Sequence, residues 1–252
     1  RLVVIPESLW KRGNTLTVDN LGFTLASRDK AVEIKTYIEG ELKGKNGREF
    51  ILSLDTPIAI CCGEKMNLDH AMAFINDRAQ DFVHSNQKCF GENYDCYNAM
   101  QSVLAWDNIY DPSIRKVITP VSRIWSSEWF ASEDFGGFTL FCWDTYFASM
   151  MLAVGNKELA YANAVEITKA ITESGFVPNC FYSNNFKSRD RSQPPVGSLA
   201  VWTIYKQYQE KWFLELLYKE LLTWNRWWNQ NREYEGLLCL GSNPYEKVTY
   251  FR

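Results

Sequence analysis

Residues 211–229 read KWFLELLYKELLTWNRWWN. Phe213, Leu217, Leu221, Trp224 and Trp228 recur every three to four positions, which sets them on one face of a helix. The spacing therefore predicts a helix over 211–229 with one stripe turned to a core. Toward the N-terminus, Pro194–Pro195 stands ahead of a further helix predicted over 197–209. In 157–172 the stripe Ala160, Ala164, Ile167 and Ile171 keeps the helical step, and Gly175 follows as a stop signal. A helix over 144–154 opens at Asp144, which can serve as its N-cap or as a first-turn acid. Two more are predicted over 94–109 and 67–87. The latter carries Leu68, Ala71, Met72, Ile75, Ala79, Phe82 and Val83 and reads as a connecting helix.

The texture changes ahead of these helices. Thr15, Thr17 and Asp19 alternate with Leu16 and Val18. Residues 31–38 are rich in β-branched side chains, and 49–60 form an apolar run broken by Pro57. Turn signals fall at Lys11–Asn14, Ser27–Lys30 and Lys43–Gly47. The expected organisation is a β-rich segment over 1–63, the end of a β-sandwich or a small antiparallel sheet. A linker helix over 64–92 and a helical portion over 93–252 follow. The fold class is mainly α.

The composition excludes several function classes. The 252 residues are 46% hydrophobic and 15% aromatic, with a net charge of −3, unlike a disordered chain or a disulfide-stapled module. Weak acidity argues against nucleic acid or anionic lipid as a partner. No apolar run approaches the ~20 residues of a membrane span. Seven cysteines form no CxxC, and His70 and His84 lie at no zinc-ligand spacing from them, so no metal or cofactor is expected. Unpaired thiols favour a cytoplasmic setting, with a Cys89–Cys96 bridge left open.

Two long polar-aromatic connections, 131–143 and 176–196, interrupt the helices, and connections of that length are usually functional. Three stretches in and beside them carry chemistry. Phe135 to Phe147 contains Phe141, Trp143 and Asp144, a carboxylate beside aromatic rings. Such a pair grips a sugar through its hydroxyls and its C–H face; it equally describes a helix cap next to a core tryptophan. Glu173 to Asn179 ends in Val177-Pro178-Asn179. In residues 189–198, Arg191 and Gln193 stand before Pro194–Pro195, whose fixed φ sets the direction of the chain. Arg191 also fits a solvated or structural arginine.

Together, Trp143-Asp144-Thr145-Tyr146-Phe147, Val177-Pro178-Asn179 and Arg191-Ser192-Gln193-Pro194-Pro195 resemble the inverting α-glycosidases of the trehalase-like group, glycoside hydrolase families 37 and 63. Trp224-Asn-Arg-Trp-Trp, the stretch 236–243 and the β-rich segment look more like family 63, the mannosyl-oligosaccharide glucosidase and bacterial α-glucosidase type. The resemblance implies an (α/α)6 toroid whose −1 subsite holds a sugar with Asp144, Asn179, Arg191 and Gln193 against Trp143 and Phe141. It implies hydrolysis of an α-glucoside or an α-mannoside with inversion. Trehalases carry an arginine where this chain has Gly136-Gly137-Phe138, so trehalose itself is not implied.

A second departure concerns catalysis. In these families the general acid is the aspartate of a Glu-Ser-Gly-(Trp/Leu)-Asp element after the segment matching 236–243, and the general base is a later glutamate. Neither stands in this chain, and Glu173-Ser174-Gly175 belongs to the Pro-Asn motif. Inversion needs two carboxyls about 6.5–9.5 Å apart. Glu128, Glu133 and Asp134 read as solvated, and Asp190 between two arginines reads as ionised. A full toroid of twelve helices also needs more than about 300 residues. The expectation is thus a portion of a longer glycosidase, inactive alone and completed by the remainder of its own polypeptide. A non-catalytic carbohydrate-binding or helical scaffold protein is the rival, and an (α/α) lyase a third class.

Overall fold

The computed structural model describes residues 1–6, 15–26, 33–111, 116–120, 139–182, 187–189 and 191–241. The turn signals at Lys11–Asn14 and Ser27–Lys30 lie outside them. So do residues 131–138 of the first long connection and the acids Glu128, Glu133, Asp134 and Asp190. The chain divides into two compact units, Arg1–Asp95 and Cys96–Arg252.

The first unit holds β1 (Leu2–Val4), β2 (Thr15–Val18), β3 (Gly22–Ala26), β4 (Glu33–Glu39), β5 (Leu42–Asn46), β6 (Glu49–Leu52) and β7 (Ala59–Cys62). They form two antiparallel sheets, ordered β1-β6-β5 and β2-β3-β4-β7. Phe50 and Leu52 of β6 are buried, on the alternate positions that one sheet face requires. The turn expected over Lys43–Gly47 is mostly strand, since only Gly47, at φ 59°, belongs to the turn between β5 and β6. Strand β5 is an edge strand with mostly exposed polar side chains, so it shows no alternation to read. Helix α1 (Leu68–Phe90) is capped by Asn67, whose side-chain oxygen accepts from the His70 N–H at 2.8 Å. Of its apolar stripe only Ala71 is buried; Met72, Ile75, Phe82 and Val83 are exposed.

Helix α2 (Tyr94–Asp107), which lies in the second unit from Cys96 onward, stops short of the expected Ile109. Asn108 breaks the helix, its side-chain oxygen accepting from the Thr119 hydroxyl at 2.6 Å. Ile109 then opens β8 (Ile109–Asp111) and pairs with Ile118 of β9 (Lys116–Ile118). Four helices follow: α3 (Cys142–Leu152), α4 (Lys157–Lys169), α5 (Gly197–Tyr208) and α6 (Lys211–Asn231). Helices α3 and α4 are joined by a four-residue connection and α5 and α6 by Gln209–Glu210, so each pair forms a helical hairpin. Helix α4 contacts α3, α5 and α6.

The predicted stripes form this core. Phe213, Leu217, Leu221, Trp224 and Trp228 are buried, as are Ala160, Ala164 and Ile167. Ile171 lies past the end of α4, because the chain turns there: Thr172 N–H donates to the Phe176 carbonyl at 2.8 Å and Gly175 adopts φ 98°. Tyr146 of α3 is fully buried and stacks on Trp224 at 6.0 Å between centroids. Its hydroxyl lies 2.8 Å from the Thr168 hydroxyl, which in turn donates to the Ala164 carbonyl. Tyr146 is therefore the donor of the pair. Among the described residues no helix is long and apolar enough to cross a membrane.

The contact between α3 and α5 depends on a residue without a side chain. A Cβ on Gly197 would lie 2.7 Å from Tyr146 Cζ and 2.9 Å from Trp224 Cζ3. Both rings are held by packing and cannot yield cheaply. Gly197→Ala is expected to destabilise the second unit by about 1–3 kcal/mol, read from urea denaturation followed by tryptophan fluorescence. An unchanged midpoint would show that the rings are free to move.

Candidate functional site

The two long connections are not structureless. Each contains a three-residue strand, β10 (Thr139–Phe141) and β11 (Cys180–Tyr182), and the two pair with each other. The antiparallel register sets Phe141 opposite Cys180 and Leu140 opposite Phe181. Strand β10 runs directly into α3, so the pairing delivers the Pro178-Asn179 segment to the start of that helix.

A helix start exposes backbone N–H groups that need acceptors. The residue at the cap of α3 is Phe141, which has no side-chain oxygen to offer. The acceptors come from the two other motifs instead. Cys142 N–H donates to the Asn179 carbonyl at 3.1 Å. Trp143 N–H donates to Gln193 Oε1 at 2.9 Å. Asp144 is thus a first-turn acid rather than the N-cap, and the three motifs meet on the first turn of one helix.

The helical period then sorts the Trp-Asp-Thr-Tyr-Phe motif into two faces. Cys142, Thr145, Tyr146 and Ser149 are buried, while Trp143 and Phe147 stay 39% and 40% exposed. These two rings, one turn apart, lie 6.1 Å centroid to centroid. Asp144 stands beside them, half-buried. Burial pushes its carboxyl above the ordinary aspartate range, against weaker pulls from its own backbone N–H and from Trp143. Burial likewise drives the Cys142 thiol well up, with Asp144 and Cys180 adding to the shift. That thiol stays protonated and unreactive.

The flanking residues are held firmly. Phe176 packs on Trp227 at 4.7 Å, and Val177 and Pro178 are buried ahead of half-buried Asn179. The Asn179 amide donates to Cys180 Sγ at 3.2 Å. Ser192 is buried and accepts from Arg232 Nε at 3.3 Å, and that guanidinium also lies over the Trp227 ring at 4.9 Å. Arg191 is exposed, two residues from Gln193. Glu173 pairs with Arg189 at 3.3 Å. A backbone N–H and that arginine hold its carboxyl below the usual range, which unfits it as a proton donor.

Of the six residues predicted to bind sugar, hydrogen bonding and strand pairing bring together Phe141, Trp143, Asp144, Asn179 and Gln193. Arg191 is exposed and is not brought to them by these bonds. Phe147, outside those six, adds a second ring beside Trp143, as the i, i+4 spacing allows. An open cleft of about 200 Å³ lies nearby in sequence terms, lined by Pro195, Asn225, Arg226, Trp228, Asn229 and Leu238. All seven cysteines are free, Cys89 and Cys96 included. No group of His, Cys, Asp and Glu among the described residues could hold a metal ion.

Residues 138–244 match the family model of the mannosylglycerate hydrolase MGH1-like glycoside hydrolase domain. The matched stretch contains β10, α3 to α6 and all three motifs. The match spans less than half of the chain and marks a similarity to glycoside hydrolases related to family 63. No curated protein matches the chain.

The raised Asp144 pKa makes a stability prediction with a definite sign. The folded state holds this proton more tightly than the unfolded state, so folding gains from the neutral acid at low pH. That gain is lost as pH rises through the folded pKa. Asp144→Asn is therefore expected to raise the thermal midpoint at pH 7 and to leave it unchanged at pH 3, where both side chains are neutral. A lower midpoint at pH 7 would show that the ionised carboxylate is well stabilised where it stands.

Proposed function

We propose that this chain supplies the sugar-binding part of the −1 subsite of an inverting glycoside hydrolase acting on α-linked glucosides or mannosides. Its helices would form part of an (α/α)6 toroid. The observation that carries the reading is the meeting of three motifs at the first turn of α3, beside the open Trp143–Phe147 wall.

Each group has a role that its chemistry suits. The Asp144 carboxylate accepts from sugar hydroxyls, and charge-assisted bonds of that kind are the strong ones. Trp143, Phe147 and Phe141 cover the apolar C–H face of the pyranose. Asn179 and Arg191 donate to the remaining hydroxyls, while Gln193 holds the first turn of α3 through the Trp143 N–H. Partial burial raises the cost of the Asp144 charge, and sugar hydroxyls that donate to the carboxylate offset that cost. In this reading a glutamate outside these 252 residues activates the water. An aspartate, likewise outside them, protonates the leaving oxygen, which is the division of labour that inversion requires.

The motif wording points to glucose, and the description of the matched family points to a mannosyl group. Calorimetric titration of the chain with methyl α-D-glucopyranoside and methyl α-D-mannopyranoside separates them. The expected result is binding of one hexoside in preference to the other, weakened about 10–100-fold by Asp144→Asn, the worth of a hydrogen bond to a charged group. Binding of neither hexoside, or an unchanged affinity in the Asn variant, would contradict the proposal.

A further inference from the structure

We infer that Gln193 is a positioning residue: its side-chain carbonyl caps α3 from the third motif and thereby fixes where Trp143 and Asp144 stand. The resemblance reads this glutamine as a sugar ligand, and the geometry gives its oxygen another task. Trp143 N–H can be met only by an acceptor, so the atom 2.9 Å away is the amide oxygen of Gln193. Phe141 at the cap contributes no side-chain oxygen. The neighbouring Cys142 N–H is already taken by the Asn179 carbonyl. Without Gln193 the Trp143 N–H would have no acceptor among the described residues.

Gln193 is built to hold this position. On one side Ser192 is 7% exposed and bonded to Arg232. On the other, Pro194 and Pro195 restrict the backbone, and Val196 N–H closes a turn onto the Pro194 carbonyl at 2.8 Å. The helix that follows begins at Gly197, pressed against Tyr146 of α3 itself. The backbone of the glutamine is thus fixed from both sides before its side chain reaches across. An N-cap normally sits next to the helix it serves. Here the cap lies fifty residues along the chain, so the first turn of α3 is correctly placed only when the third motif is in place.

The consequence for sugar binding rests on the proposed reading of Trp143 and Asp144; the capping role does not. Two variants separate capping from direct contact. Gln193→Glu keeps an acceptor oxygen at the same reach, adds a negative charge that a helix N-terminus favours, and deletes the amide NH2. Gln193→Met keeps the length and deletes the acceptor. In the full chain the Glu variant is expected to hold the thermal midpoint and to keep hexoside affinity within about threefold. The Met variant is expected to lower the midpoint by about 2–6 °C, the effect of a lost cap in a unit of this size, and to weaken the hexoside about tenfold. Midpoints that match the wild type in both variants, with affinity lost in both, would overturn the inference and make Gln193 a ligand through its NH2. A Met midpoint equal to that of Glu would overturn it whatever the sugar does. Should the wild-type chain bind no hexoside, the sugar reading fails, and the two midpoints still decide the cap.

Discussion

Two backbone N–H groups at the start of α3 have to find acceptors, and the helix brings none of its own. Everything at the candidate site follows from how that requirement is met. The Asn179 carbonyl takes Cys142 and the Gln193 side chain takes Trp143. The acceptors come from two connections far along the chain, so satisfying the helix start and assembling the site are one event. Three stretches of sequence that share no local structure converge on these two bonds, the Asn179 one at buried Cys142 and the Gln193 one at exposed Trp143.

The helical core supplies the rigidity this arrangement needs. Tyr146 lies between the site and the interior: it is one turn along from Cys142, stacked on Trp224 and bonded to Thr168 of α4. It ties α3 to α4 and α6, while Trp143 and Phe147 remain exposed. Gly197 lets α5 approach the same ring, and α5 is the helix that the Gln193 segment leads into. The motif Trp-Asp-Thr-Tyr-Phe thus divides its labour by helical period. Positions 142, 145, 146 and 149 are buried and anchor the helix, and 143, 144 and 147 stay exposed or half-buried.

Much of this was legible in the sequence because its signals were local. The stripe from Phe213 to Trp228 repeats at the helical step, and all five of its residues are buried. Trp143 and Asp144 announced themselves by chemistry that needs no fold to recognise. What escaped was non-local. Strands β10 and β11 are three residues each, too short for an alternation, and the 38 residues 142–179 of helix and turn lie between them. Strand β5 read as a turn because its polar side chains face outward on an edge. Asp144 read as a possible N-cap because sequence neighbours are the usual source of caps. Nothing near Trp143 discloses that the acceptor is Gln193. Phe147 fell between these cases, its spacing visible but its partner ring known only once α3 was placed.

The account stands on the first turn of α3 being held from elsewhere in the chain, and amide hydrogen exchange at that turn tests it most directly. First-turn amides of an unassisted helix exchange readily, since they make no bond within the helix. The account predicts slow exchange at both Cys142 and Trp143 in the folded chain, comparable to amides in the middle of α3. Fast exchange at Trp143 beside a protected helix interior would contradict it.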